Sequence, residues 1–376
     1  MDFKPVKKAK KGIFHLIFSR ITILLVLLLI QLYIFAAVIT WLHDYVTYIQ
    51  VMFLLLEIVS VIYIINSKSN PAFKITWILL IFTLPFFGTA FYIFMKIMPG
   101  TGLIQKRLSD LTLLTREYMK QDADTLESLR ISKPANANLA HYLSNQVGFP
   151  VHRNTAVKYF PSGETKFEEM KAQLRKAQRF IFLEYFIVED GFMWDSIRNI
   201  LIEKVKEGVE VRFMYDGMCS MRALPYNYEK QMRKYGIKCK IFSPITPILS
   251  SYQNNRDHRK ITIIDGKVAY TGGINIGDEY INEEEKFGHW KDTAVKLEGP
   301  AVDGFTEMFL KLFILQKGKD FSTDQYYNHH QSFTTNGIVV PIEDGPSPLS
   351  PEYVAENVYL NTINQAEKEL LILLLI

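Results

Sequence analysis

The sequence predicts N-terminal transmembrane helices followed by an α/β layered domain. Residues 21–42 carry no charged side chain, and a run of that length can cross a hydrocarbon core of ~30 Å at ~1.5 Å per residue. From residue 155 onward, short apolar runs alternate with amphipathic segments, which is typical of a sheet covered by helices. The hydrophobic fraction of 48%, with 13% aromatic residues, is high for a soluble enzyme and leaves room for membrane spans.

Three apolar stretches make up a predicted membrane region, residues 1–98, with two or three transmembrane helices. They lie at residues 21–42, 46–65 and 75–95. The second stretch is interrupted by Glu57. A carboxylate is costly in the middle of a bilayer, so Glu57 is expected to face another helix, to be protonated or to mark a packing site.

The third stretch contains Pro85 and Gly88, which permit a kink. Six basic residues against one acid in the first twenty positions predict a cytoplasmic N-terminus. Three full crossings would then carry the following residues outside, whereas Lys96, Lys106 and Arg107 favour the cytoplasm. Both observations hold if the second or the third stretch is re-entrant or interfacial, and the sequence leaves that choice open.

Two further segments complete the predicted organisation. Residues 99–153 are predicted to form a juxtamembrane helical linker, with Pro134 ending a helix-like run. Residues 154–325 are predicted to form the layered domain. Its strands are expected at 156–160, 180–188, 209–215, 237–242 and 292–297, and its helices at 162–179, 195–207, 228–235 and 301–316.

A β-hairpin is predicted around Asp265-Gly266, because Asp-Gly joins two short β-branched and apolar runs, 260–264 and 267–271. Side chains alternate along a strand, so His258 and Lys260 are expected on one face. An imidazole beside a fixed ammonium suits an anionic substrate such as a phosphate. The histidine can attack phosphorus or move protons, while the lysine neutralises phosphoryl oxygens.

These residues resemble a known family. His258, Lys260 and Asp265 read H-x-K-x-x-x-x-D, and the G-G-x-N that ends at Asn275 completes a pattern similar to the signature of the phospholipase D superfamily. The longer sequence at 254–280 resembles the bacterial cardiolipin synthases, as does the membrane stretch W-I-L-L-I-F-T-L-P-F-F-G-T-A-F-Y. The resemblance runs from about residue 77 to the C-terminus. Many relatives have two spans, so the first span here is a departure.

The resemblance implies a phospholipase D-like fold in which two halves, each with one such motif, build a single site. One histidine forms a phosphohistidine and the other protonates the leaving alcohol. It implies His258, Lys260 and Asp265 as catalytic residues, and His258, Lys260 and Asn275 as phosphate-binding residues. No metal and no cofactor are expected. The implied reaction joins two phosphatidylglycerol molecules and releases glycerol, at a bacterial cell membrane that the chain crosses several times.

One such motif is present in this sequence. Residues 154–325 are expected to be one complete catalytic half. Residues 326–376 resemble the beginning of a truncated second half, with a strand at 338–342, a helix at 351–368 and an apolar strand at 369–376.

Three hypotheses follow: a cardiolipin synthase completed by a separate second half, a homodimeric phosphodiesterase or phospholipase D that pairs two copies of His258, or an inactive truncated membrane protein. The expected partners are phosphatidylglycerol and membrane lipid. Nucleic acid is not expected, because the catalytic region has no concentrated basic tract.

Several other residues attract attention. Glu184 lies mid-strand among aromatic residues, where a charge is costly without a partner, so it either orients a catalytic group or bonds to a neighbouring loop. Asp216 ends a predicted strand, where α/β sheets place their sites. By resemblance, Trp290 and Asp292 are supporting pocket residues. The two cysteines are interpreted as small buried hydrophobic residues.

Overall fold

The computed structural model describes residues 20–40, 43–67, 69, 71–97, 106, 110–111, 118–119, 121–218, 223–225, 227–244, 256–286, 288–315, 323–327, 329–345 and 353–371. These residues belong to two compact units, one formed by the N-terminal helices and one by the described residues from 106 onward. The N-terminal helices are α1 (Arg20–Thr40), α2 (Val46–Ile65), α3 (Pro71–Thr83) and α4 (Pro85–Ile97).

Helix α2 is the one described helix that is long and apolar enough to cross a membrane by length and composition, with 20 residues. Its limits coincide with the second predicted stretch. The apolar part of α1 found by the same criterion, Leu25–Ala37, and helix α3 are shorter. Large apolar side chains such as Leu55 and Val59 are exposed on α2, as expected for a helix whose solvent is lipid.

The third predicted stretch is a helical hairpin rather than one kinked span. The ring of Trp77 lies 5.4 Å from that of Phe91 and 5.2 Å from that of Tyr92. In a continuous helix, residues 14 apart would be separated by about 21 Å. Gly88 permits the close approach, because a Cβ there would lie 2.8 Å from the Cα of Ile81. Pro85 begins the second helix at the point where the chain reverses.

Polar contacts hold the hairpin against α1 and α2. The backbone N–H of Phe87 donates to Oε1 of the buried Gln31 at 2.9 Å, which satisfies one of the free amides at the start of α4. The hydroxyls of Ser60 and Thr89 are 3.4 Å apart. These contacts make the four helices one packed unit.

A seven-stranded sheet forms the centre of the second unit. Its strands are β1 (Ala156–Phe160), β2 (Phe180–Tyr185), β3 (Glu210–Asp216), β4 (Lys238–Phe242), β5 (Lys260–Ile264), β6 (Val268–Gly272) and β7 (Ala294–Glu298), in the order β1-β7-β6-β5-β2-β3-β4. Strands β2, β3 and β4 are parallel, and the other neighbours are antiparallel. Each predicted strand of the layered domain is present, with ends that differ by a few residues.

Helices cover both faces of this sheet. The helices of the unit are α5 (Ala123–Ser132), α6 (Pro134–His141), α7 (Gly163–Lys176), α8 (Phe192–Lys206), α9 (Tyr228–Lys234), α10 (Val302–Leu315) and α11 (Val354–Asn364). Strand β2 is apolar on both faces because helices cover both of them. Leu183 belongs to the same core cluster as Trp194 of α8, and on the other face Phe182 stacks on Phe309 of α10 at a centroid distance of 4.7 Å.

Described residues from the predicted linker and from the predicted second half contribute to the same core. Phe149 joins the cluster under α10, as do Tyr327 and Val354. The predicted strand at 338–342 is a single antiparallel bridge between His152 and Val339. Helix α11 is shorter than predicted, residues 369–371 have no regular structure, and 372–376 lie outside the described residues. The domain boundaries at 98, 153 and 325 stay predictions.

The sheet core can be tested at Phe182. Phe182→Ala should lower the free energy of unfolding by about 3–5 kcal/mol, because it removes a fully buried ring that stacks on Phe309. Tyr159→Ala, on an edge-strand residue that is 60% exposed, should cost less than about 0.5 kcal/mol. Chemical unfolding in detergent, followed by near-UV circular dichroism, measures both. Equal losses would contradict the described layering.

Candidate active site

His258 and Lys260 lie together at one end of the sheet. Lys260 is the first residue of β5 and sits opposite Tyr185, the last residue of β2. The His258 ring is exposed and packs on Phe186, with ring centroids 4.7 Å apart. The Lys260 ammonium lies 5.2 Å from the centroid of the same ring and donates to the His258 carbonyl at 2.6 Å. Phe186 therefore supports both groups, and sequence reasoning missed it.

The two faces of β5 carry different chemistry. The side chain of Thr262 contacts Tyr185 on the α7 side, whereas Ile261 belongs to the cluster on the α10 side. Lys260 shares the Thr262 face by alternation. Arg259 points to the opposite face, where its guanidinium meets Glu184. As predicted, His258 and Lys260 lie on one face of the strand and Arg259 lies on the other.

Electrostatics favour a neutral His258. Partial burial lowers the pKa of its imidazole, the nearby Lys260 ammonium lowers it further, and the Asp257 carboxylate partly opposes both. A ring with a lowered pKa keeps its lone pair at neutral pH. It can then attack an electrophilic phosphorus or accept a proton.

Asn275 is held at the same end of the sheet. Its Oδ1 accepts the backbone N–H of Ile187 at 3.0 Å, next to Phe186, and its Nδ2 donates to the Tyr280 hydroxyl at 2.9 Å. The amide nitrogen has a second hydrogen, which the described contacts do not use. The ring of Trp290 supports Tyr280 at a centroid distance of 5.0 Å. Asn275 can thus offer one N–H to an oxyanion, from a fixed position.

Asp265 lies at the opposite end of β5, in the hairpin turn. Its φ of +55° and that of Gly266, +67°, fit the predicted Asp-Gly turn. It lies five residue steps along the chain from Lys260, roughly 16 Å at ~3.3 Å per residue. Its carboxylate accepts backbone N–H groups of residues 178, 179 and 180, at 2.9, 2.8 and 3.0 Å. The structure therefore does not bring Asp265 to His258, and its carboxylate anchors the start of β2 instead.

Two further aspartates can now be placed. Asp216 is fully buried, and its carboxylate accepts the backbone N–H of Asp257 at 3.1 Å and that of Met218 at 2.8 Å. It therefore fixes the segment that leads to His258. Asp292 lies against Gly273, where a Cβ would approach its Oδ1 to 2.1 Å. Only a glycine lets this carboxylate sit against the G-G-x-N segment. Among the described residues, no group of three or more His, Cys, Asp or Glu side chains could hold a metal ion.

Two families of known proteins match parts of this chain. Residues 170–299, which include β2 to β7 and the site, match the family described as "Cardiolipin synthase, PLD-like domain". Residues 55–96 match the family described as "Phospholipase_D-nuclease N-terminal". A cardiolipin synthase from Geobacillus sp. is 32% identical over 322 residues, which cover 84% of this chain and 62% of that protein.

The chain belongs to the bacterial cardiolipin synthase family of the phospholipase D superfamily.

Two further proteins are similar to this chain. The cardiolipin synthase of Halalkalibacterium halodurans is 29% identical over 358 residues, covering 94% of this chain and 70% of that protein. An uncharacterized protein of Streptococcus mutans serotype c is 49% identical over 308 residues, covering 82% of this chain and 66% of that protein. The chain thus spans between 62% and 70% of the length of these three relatives. The phospholipase D-like α/β fold is confirmed.

The placement of Asp265 can be tested by substitution. Asp265→Ala should lower the free energy of unfolding by about 2–3 kcal/mol, because backbone amides at the start of β2 lose their acceptor. Asp265→Asn keeps one acceptor and should lose about half as much. Thermal unfolding in detergent measures both. An Asn variant of normal stability without any catalytic activity would instead support the predicted catalytic role.

The electrostatic coupling of Lys260 to His258 gives a second prediction. Lys260→Gln removes a positive charge that lowers the imidazole pKa, so the pKa of His258 should rise towards 6.5, the ordinary histidine value. An NMR titration of the histidine rings measures this, with His258→Asn to assign the signal. The matched variant Lys176→Gln, at the end of α7, should leave that pKa unchanged. An unchanged pKa in Lys260→Gln would reject the coupling.

Proposed function

We propose that this chain carries one catalytic half of a cardiolipin synthase. The reaction transfers a phosphatidyl group from one phosphatidylglycerol to another, with release of glycerol and with a phosphohistidine as intermediate. The observation that supports this most directly is the exposed imidazole of His258, whose pKa is lowered by partial burial and by Lys260, beside the buried Lys260 ammonium. Membership of the cardiolipin synthase family supports the same choice of substrate.

The first step places the phosphate of phosphatidylglycerol between His258, Lys260 and Asn275. A ring nitrogen of His258 attacks phosphorus, and the bond from phosphorus to the glycerol oxygen breaks. Lys260 and the second amide hydrogen of Asn275 stabilise the negative oxygens. An acid outside this set protonates the departing glycerol.

The second step regenerates the histidine. A glycerol hydroxyl of a second phosphatidylglycerol attacks the phosphohistidine, the phosphorus–nitrogen bond breaks, and the group that had acted as acid takes the hydroxyl proton. Two phosphatidylglycerol molecules become one cardiolipin and one glycerol. No nucleotide is needed, because one phosphodiester replaces another.

The test uses the protein purified from its native cells, together with any polypeptide that co-purifies with it, in mixed micelles with labelled phosphatidylglycerol. Cardiolipin and glycerol should form in equal amounts, and His258→Ala should reduce the rate by roughly a thousandfold or more. His141→Ala, an exposed histidine on α6, is the matched control and should retain the wild-type rate. Intact-mass analysis after acid-free quenching should find a phosphatidyl adduct on the wild type. An unchanged rate in His258→Ala would reject the assignment.

The acid that protonates the departing glycerol lies outside the set of His258, Lys260 and Asn275. We propose that it is a second histidine, held in a motif like that of His258. It comes either from a second copy of this chain or from a separate second half. Co-expression of wild type with inactive His258→Ala copies distinguishes the two. Activity should fall with the square of the wild-type fraction if two copies of His258 form one site, and linearly if the second half is another polypeptide.

We also propose a membrane topology. Helices α1 and α2 cross the bilayer, and the α3–α4 hairpin enters from the cytoplasmic side and returns to it, since each of its helices has 13 residues. Such a helix is about 20 Å long, shorter than a hydrocarbon core of ~30 Å. Two crossings from a cytoplasmic N-terminus bring Lys96 and the residues after it back to the cytoplasm, which agrees with the positive charges there.

Cysteine labelling in intact cells tests this topology. Cys219 and Cys239 are first replaced by serine. Asp44→Cys, between α1 and α2, should then react with an impermeant maleimide added outside, whereas Ser69→Cys and Lys106→Cys should react only after lysis. External labelling of Lys106→Cys would mean that the hairpin opens into a full crossing.

A further inference from the structure

A cluster of buried and half-buried charges lies on the face of the β5 segment opposite His258. Glu184, Asp257, Arg259, Lys311 and Glu343 form its centre. The Arg259 guanidinium contacts Glu343 at 2.8 Å and Glu184 at 3.6 Å. The Lys311 ammonium also contacts Glu343, and it lies 3.3 Å from Glu307 of α10. Both cations thus make their shortest contacts to Glu343.

Glu184 and Asp257 are left without enough donors. Both carboxyl oxygens of Glu184 and Oδ2 of Asp257 are buried and accept no N–H or O–H from the described residues. The remaining Asp257 oxygen accepts the backbone N–H of Arg259 at 3.2 Å. Two buried carboxylates side by side, each with a free oxygen, would repel each other strongly.

A single proton removes this conflict. A hydrogen bond between the Glu184 and Asp257 side chains, which would occupy their unsatisfied buried oxygens, requires that one of the two carboxyl groups be protonated. Burial raises the pKa of Glu184 well above its ordinary value, with the Asp257 charge as the next cause and Arg259 opposing. Burial also raises the pKa of Asp257, while Arg259 lowers it. The proton therefore belongs on Glu184.

We propose that Glu184 is a positioning residue that remains protonated at neutral pH and donates a hydrogen bond to Asp257. Asp257 then receives restraints on both sides of His258: its own N–H donates to Asp216, and its carboxylate holds the N–H of Arg259. The Glu184 proton keeps that carboxylate in place. His258 and Lys260 are thereby presented on the other face of the same segment.

The sign of the pH effect follows from the groups that face Glu184. These are Asp257 and Arg259 from the β5 segment and Glu343 from the C-terminal segment. The unfolded chain releases the Glu184 proton near the ordinary value of 4.5, whereas the folded chain retains it to higher pH. Its contribution to stability is therefore fully present below that value and is lost as the pH rises through the folded pKa.

The proton itself can be detected by infrared spectroscopy on the full chain in detergent, with isotope-labelled glutamate. At neutral pH the wild type should show the C=O stretch of a protonated glutamate. The band should disappear in Glu184→Gln. It should also disappear in Asp257→Asn, where an amide donates and Glu184 no longer needs the proton. Glu210→Gln, which removes an ion-paired glutamate at the start of β3, should leave the band unchanged. A wild type without the band would overturn the proposal.

A second measurement separates positioning from simple packing. Acylation of His258 by diethyl pyrocarbonate, followed by peptide mass spectrometry, should decline at alkaline pH in the wild type as Glu184 loses its proton. Glu184→Gln, a permanent donor of the same shape, should abolish the decline, and Glu184→Ala should slow acylation at all pH values. Equal behaviour of the Gln and Ala variants would contradict the inference.

The effect of Glu184 on catalysis rests on the proposed function. A third measurement distinguishes a failure of that function from a failure of the inference about Glu184. In the micelle assay, Glu184→Gln should stay within about twofold of the wild-type kcat, while Glu184→Ala should lose roughly a hundredfold through misplacement of His258. If no cardiolipin forms but the infrared and acylation results hold, the proposed function fails and the inference stands. If cardiolipin forms and the band is missing, the reverse is true.

Discussion

The antiparallel pairing of β5 with β2 is the constraint on which the site depends. Strands β2, β3 and β4 are parallel, so their carboxyl ends meet at one edge of the sheet. Because β5 runs the other way, its first residue, Lys260, lies at that edge, opposite Tyr185. Phe186, directly after Tyr185, then falls where its ring can support both His258 and Lys260.

The same strand serves two purposes, one on each face. Its α7 side presents the imidazole and the ammonium, while its α10 side faces Glu184, Glu343 and Lys311. Alternation along an extended backbone makes this division unavoidable, since neighbouring side chains point in opposite directions. A change in the charges on the hidden face can therefore reach His258 across a single peptide bond, from Asp257 or from Arg259.

Local patterns explain what the sequence could predict. The Asp-Gly turn, the alternation around Lys260 and the continuous apolar run of β2 depend on residues close together in the chain, and these elements are present as expected. The role of Asp265 could not be read locally. Its partners are the backbone amides of residues 178–180, and only the pairing of β5 with β2 brings them together. The reversal at Pro85 stayed one of several open alternatives for a similar reason, because contacts such as Trp77 with Tyr92 decide between a kink and a hairpin.

The hydrogen bond from the Phe87 amide to Gln31 gives helix α1 a structural role. In lipid, no water is present to satisfy a free amide at the start of a helix. A shortened chain that began at α2 would leave that amide without its Gln31 partner. Helix α1 therefore contributes to the packing of the four N-terminal helices. An N-terminal fusion partner would have to be attached ahead of it, not in its place.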